Sequence, residues 1–129
     1  MKITLLGEHG IRLDPIPGPM TIEADSPDQL YSPFHMFGSS VAFCTYSVLV
    51  SWASNAQIEF GDIAIEVRWT FAEEPHRVGE IVMNVEWPSL PGARRTAASR
   101  VADLCAIHAT LINPPTIRTV VEAAAAAPA

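Results

Sequence analysis

Between Ser32 and Gln57 the sequence has no aspartate, glutamate, lysine or arginine. Such a run excludes a solvated surface helix, because a helix without charge is buried on all sides or sits in a membrane. Lysine is nearly missing from the whole chain: Lys2 is the single one, and the other cations are arginines. Charged residues make up 17% against 49% hydrophobic. That balance excludes a disordered chain and leaves apolar surface for an oligomer to cover. The formal net charge of −6 argues against nucleic acid as a partner. No internal repeat is present. The opening MKITLLGEHG reaches a charged turn within ten residues and does not resemble a secretory signal. The expected setting is a reducing cytoplasm, where the two cysteines are seldom a structural staple.

The uncharged run also tests for a membrane span. Met36 to Ile58 is long enough to cross a bilayer. Ser39, Ser40, Thr45, Ser47, Ser51 and Asn55 interrupt it, and no basic residue flanks it closely. The segments that follow read as strands of a soluble protein. The expectation is therefore a core helix and no membrane partner.

What is there organises around that helix. Ser32 is a candidate N-cap, with Pro33 at the first helical position. At about 100° per residue, Cys44 shares a face with Phe37, Ser40, Val41, Val48 and Ser51. Before the helix, residues 2–6 and 11–13 alternate as two short strands, and 20–23 is a third candidate. After it, Ile63, Ile65, Val67, Trp69 and Phe71 alternate with polar residues. Ile81, Met83, Val85 and Trp87 do the same, so the two runs predict an antiparallel hairpin with its apolar face on the helix. Ala93 to about Ala109 predicts a second helix, stopped by Asn113-Pro114-Pro115. Thr116 to Glu122 predicts a last strand. With 129 residues the chain suits one domain over 1–122, followed by a low-complexity tail at 123–129. Strands in blocks favour an α+β fold over a parallel doubly wound sheet.

Cys44 and Cys105 each fall on a predicted helix. Two thiols placed so could attack and resolve as a redox pair if the helices cross within about 7 Å, Cα to Cα. The plainer reading is two buried small hydrophobes. His108 follows Cys105 by one turn and could lower its pKa or start a metal site with Cys44 and Cys105. Two ligands at that spacing are weak evidence for zinc. His35 lies about 180° from Cys44 on the same helix and cannot reach it.

The run from Ser32 to Cys44, with Ser32-Pro33 at its opening and a cysteine eleven positions after the proline, resembles the OsmC and organic hydroperoxide resistance family. Ala102-Asp103-Leu104-Cys105 matches the second cysteine of that family. The similarity spans roughly Ser32 to Val121. It implies antiparallel sheets wrapped around a long buried central helix in an intertwined homodimer. It implies a thiol peroxidase of organic hydroperoxides, with Cys44 attacking, Cys105 resolving, a dithiol as electron donor and no cofactor. Members also use an arginine from the N-terminal strands, and Arg12 is the candidate here, although its spacing to Pro33 is shorter. Phe34 stands where peroxidatic members carry a glutamate, and Cys105-Ala106-Ile107-His108 replaces their Cys-Pro-x-Ser. Those departures support a rival reading, in which the same fold binds a small apolar or electrophilic ligand near Cys44 without peroxidase activity.

Overall fold

The computed structural model describes residues 3–6, 11–13 and 32–124. Contacts divide the chain into two units, Met1–Leu30 and Tyr31–Ala129. In the first, β1 (Ile3–Leu5) and β2 (Ile11–Leu13) pair antiparallel, with Ile3 opposite Leu13 and Thr4 opposite Arg12. Both strands fall where apolar alternation predicts them. The strand expected over 20–23 lies outside the described residues, as does the tail from 125.

The second unit starts with α1 (Pro33–Asn55). Ser32 is extended, and its side chain accepts from the His35 amide at 3.4 Å. His35 Nδ1 accepts from the Ser32 amide at 3.1 Å. This is a capping box in which histidine does the work usual for glutamate or glutamine. At the other end Gln57 takes φ 57°. The Ile58 amide then bonds Ala53 O at 2.9 Å and the Gln57 amide bonds Ser54 O at 3.3 Å. That Schellman arrangement satisfies the last carbonyls without a glycine.

Strands β3 (Ala64–Ala72) and β4 (Arg77–Glu86) form the expected antiparallel hairpin. Ile65, Val67 and Trp69 of β3 and Ile81, Met83 and Val85 of β4 are half-buried, while their neighbours are exposed. The register slips between Thr70 and Phe71, leaving Gly79 as the extra residue on β4. A Cβ on Gly79 would stand 2.7 Å from Ala72 Cβ, so only glycine fits. The bulge also turns Phe71, an expected inward residue, to 44% exposure.

The core joins Leu49 and Ala53 of α1 to Trp87 and Ala98. Trp52 packs edge-on to Trp87 at 6.1 Å. Trp87 Nε1 donates to Glu59 O at 2.8 Å, so this buried indole has its polar partner. Beside it Ser89 donates from its hydroxyl and its amide to the Asp62 carboxylate, each at 2.7 Å. These bonds tie the turn after α1 to the end of the hairpin.

Three expectations are corrected. Burial of the central helix on all sides does not hold within one chain: α1 buries one stripe, Gly38, Val41, Thr45, Leu49 and Ala53. Ser39, Phe43, Ser47, Ser51 and Ser54 stay exposed, because a hairpin and two short helices cover one side of a cylinder. By length and composition alone, α1 could also cross a membrane. The helix expected over 93–109 is a 3-10 turn (Gly92–Arg94), α2 (Arg95–Ala102) and α3 (Ala106–Ile112). Cys105 breaks it by adopting φ −61°, ψ 133°. This burial of Cys105 leaves Leu104 at 73% exposure. The strand expected at 116–122 forms no ladder among the described residues; residues 114–124 are without regular structure, with Ile117 and Val121 each 85% exposed.

Candidate functional site

Cys44 stands near the middle of α1, at the edge of its buried stripe, and is half-buried. Cys105 is the N-cap residue of α3 and is fully buried. Both thiols are free. The fold brings them together, close enough that each thiol acts on the ionisation of the other. The break between α2 and α3 is what makes this possible. A continuous helix would have spent the amides of residues 106–108 on its own carbonyls; the break leaves them without a carbonyl and free to meet sulfur. The Ile107 and Ala106 amides act on Cys44 and favour its thiolate. The His108 amide donates to Cys105 Sγ at 3.5 Å.

The two sulfurs are driven apart electrostatically. Burial opposes ionisation of Cys44, but the hydrogen bond from Cys105 and the Ile107 and Ala106 amides outweigh it. The Cys44 thiol is held below its usual 9.0. For Cys105, burial comes first and pushes the thiol up, and the hydrogen bond with Cys44 and that neighbour's charge add to it. The pair therefore ionises at Cys44, with Cys105 as its neutral donor.

Two grooves run between α1 and β4, and neither cysteine lines them. One, of about 420 Å³, is walled by Phe37 and Val41 of α1, Ile81 and Met83 of β4, and Leu111 and Ile112 of α3. The other, of about 500 Å³, runs past Thr45, Leu49, Trp87 and Ala98. His108 lines both. Its side chain is 29% exposed, and its Nδ1 lies 3.9 Å from Asp103 Oδ1.

Arg12 lies on β2 of the first unit, opposite Thr4. His35 caps α1 and meets the Trp69 ring edge-on at 5.3 Å. Phe34 packs against Phe71 at 5.0 Å, which puts an aromatic contact at the position of the family's glutamate. In the hairpin turn, Glu73 takes His76 at 2.9 Å and Arg77 donates to Pro75 O at 2.8 Å. Trp52, Trp69 and Trp87 serve packing. Among the described residues no three of His, Cys, Asp and Glu converge as a metal site. The amides of Ala106 and Ile107 are the functional groups that sequence reasoning missed. Their only signal is a cysteine three residues before His108, which can cap a helix as serine does.

The model of the OsmC-like protein family matches residues 25–120. No curated protein matches the chain in sequence. Among solved structures, it is similar to a protein from Psychrobacter arcticus 273-4, described provisionally as an osmotic stress induced and detoxification response protein. That likeness has a TM-score of 0.63 and 17% identity, and covers 84% of this chain and 85% of that one.

Proposed function

The chain belongs to the OsmC-like family, and from that premise we propose that it is a thiol peroxidase of organic hydroperoxides. The Cys44 thiolate attacks the terminal peroxide oxygen and becomes a sulfenic acid while an alkoxide leaves. The Cys105 thiol attacks that sulfenic acid, forming a disulfide and releasing water. A dithiol donor then reduces the disulfide. Arg12 is the cation assigned to the leaving alkoxide by family resemblance. The reading includes a cytoplasmic homodimer, whose partner would cover the open face of α1.

The observation that carries the reading is the paired sulfurs with two backbone amides on Cys44. They supply the lowered pKa that a peroxidatic thiol needs, from a source that does not depend on Phe34. Purified protein with cumene hydroperoxide and a dithiol donor is expected to turn over, and Cys44→Ser to be inactive. After one equivalent of peroxide, intact mass is expected to fall by two hydrogens. Turnover no higher than that of Cys44→Ser, across several donors, refutes the peroxidase.

The Phe34–Phe71 contact favours one alternative, an apolar-ligand binder on the same fold. It predicts that a medium-chain fatty acid raises the melting temperature while the thiols stay reduced under mild peroxide. An unchanged melting temperature counts against it.

A further inference from the structure

The peroxidase reading leaves one chemical demand unmet. An alkoxide is a strong base, and its departure from the peroxide is faster if a proton meets it. A cation such as Arg12 can stabilise the charge but holds its proton too tightly to give it up. Three titratable side chains besides His108 line the two grooves: Glu80 in the first, Arg95 and Asp103 in the second. Glu80 and Arg95 belong to β4 and α2, elements that carry neither thiol. His108 belongs to α3 and follows directly the two residues whose amides reach Cys44. Its own amide holds Cys105 Sγ. The groove that its ring lines has Phe37 and Val41 on its α1 wall, the helical face that also carries Cys44. The Asp103 carboxylate, 3.9 Å from Nδ1, is within ion-pair range but too far for a hydrogen bond. The carboxylate sits on the Nδ1 side of the ring and so bears on its orientation.

We propose that His108 is the general acid of the thiol site, held by Asp103 as its positioning residue. The proposal rests on the peroxidase reading and adds a proton path to it. Cys44 releases its thiol proton to His108. The thiolate forms an S–O bond to the terminal oxygen of ROOH, and the O–O bond breaks. Sulfur is oxidised by two electrons and the peroxide is reduced. The O–O electron pair leaves on RO⁻, and His108 hands over its proton to give ROH. In the second step His108 takes the Cys105 proton as the S–S bond forms, and passes it to the departing hydroxide to give water. The imidazole ends each step neutral.

The test exploits the leaving group. Single-turnover oxidation of Cys44 is followed in wild type, His108→Gln and Asp103→Asn. Two oxidants are compared: tert-butyl hydroperoxide, which expels a strongly basic alkoxide, and peracetic acid, which expels a carboxylate that is stable without a proton at neutral pH. His108→Gln is expected to slow the alkyl hydroperoxide by about 100-fold, while peracetic acid changes by no more than about threefold. Asp103→Asn keeps the ring and is expected to show a smaller loss with the same selectivity. Equal slowing of both oxidants, or no slowing in either variant, overturns the proposal, because a packing role does not sense the leaving group. If wild-type Cys44 reacts with neither oxidant, the peroxidase reading falls and takes this one with it. A reactive wild type with unselective variants removes the general acid alone.

Discussion

At Cys44 two effects of opposite sign act on one sulfur, and the hydrogen bonds win over burial. The same burial wins at Cys105, where the neighbouring thiol adds to it. The pair is thus asymmetric before any substrate arrives, and alkylation can read the asymmetry. Iodoacetamide reacts with the thiolate, so its rate on each cysteine rises with pH through that residue's own pKa. Cys44 is expected to be modified first, with a midpoint below 9.0, and Cys105 to lag above it. Cys105→Ala removes a hydrogen bond that favours the Cys44 thiolate, so the Cys44 midpoint must move up, toward that of an ordinary thiol. Mass spectrometry of peptides across a pH series measures both. A Cys44 midpoint unchanged in Cys105→Ala would mean that the two backbone amides act alone. The spacing of the cysteines announced that a pair could form, but not which partner would ionise. That choice depends on amides freed by a helix break, and no side chain in the sequence encodes it directly.

Elements were legible where periodicity was strong. Both strands of the main hairpin and the long helix fall where alternation and the Ser32-Pro33 start place them. The failures have local causes. Phe71 turns outward because Gly79 inserts a bulge. The helix expected over 93–109 breaks because burying Cys105 outweighs the helical preference of the residues around it. Gly38 carries the opposite lesson. A glycine inside a helix costs about 1 kcal/mol relative to alanine, yet here it admits the hairpin: a Cβ would sit 3.2 Å from the Trp69 ring and 3.5 Å from Val67. Alanine asks the ring to yield slightly. Leucine cannot be placed without moving α1 off β3. Gly38→Leu is therefore expected to destabilise the chain by about 1–3 kcal/mol through overpacking. Urea unfolding should report it as a lower midpoint at unchanged slope. A neutral result would show that α1 and β3 can separate freely at this level.

For the whole molecule, the unresolved balance lies on the surface. One chain leaves the Ser39, Phe43, Ser47 and Ser51 side of α1 open. It also leaves Ile117, Val120 and Val121 at 70% exposure or more on a segment with no ladder partner among the described residues. A charge fraction of 17% cannot screen so much apolar area. The low charge fraction is the sequence feature that points to an oligomer covering such area. A second copy would cover the helix face and give the terminal segment a strand edge to join. Light scattering is expected to give twice the 14.0 kDa of the chain. Phe43→Glu places a charge on the open face one residue from Cys44, where burying it unpaired costs several kcal/mol. It is expected to yield monomer with a lower melting temperature. Ser54→Glu, next to the last residue of the same helix, should be milder. If Phe43→Glu keeps both mass and melting temperature, the open face is solvated in the native protein. The grooves that His108 lines would then be complete within one chain.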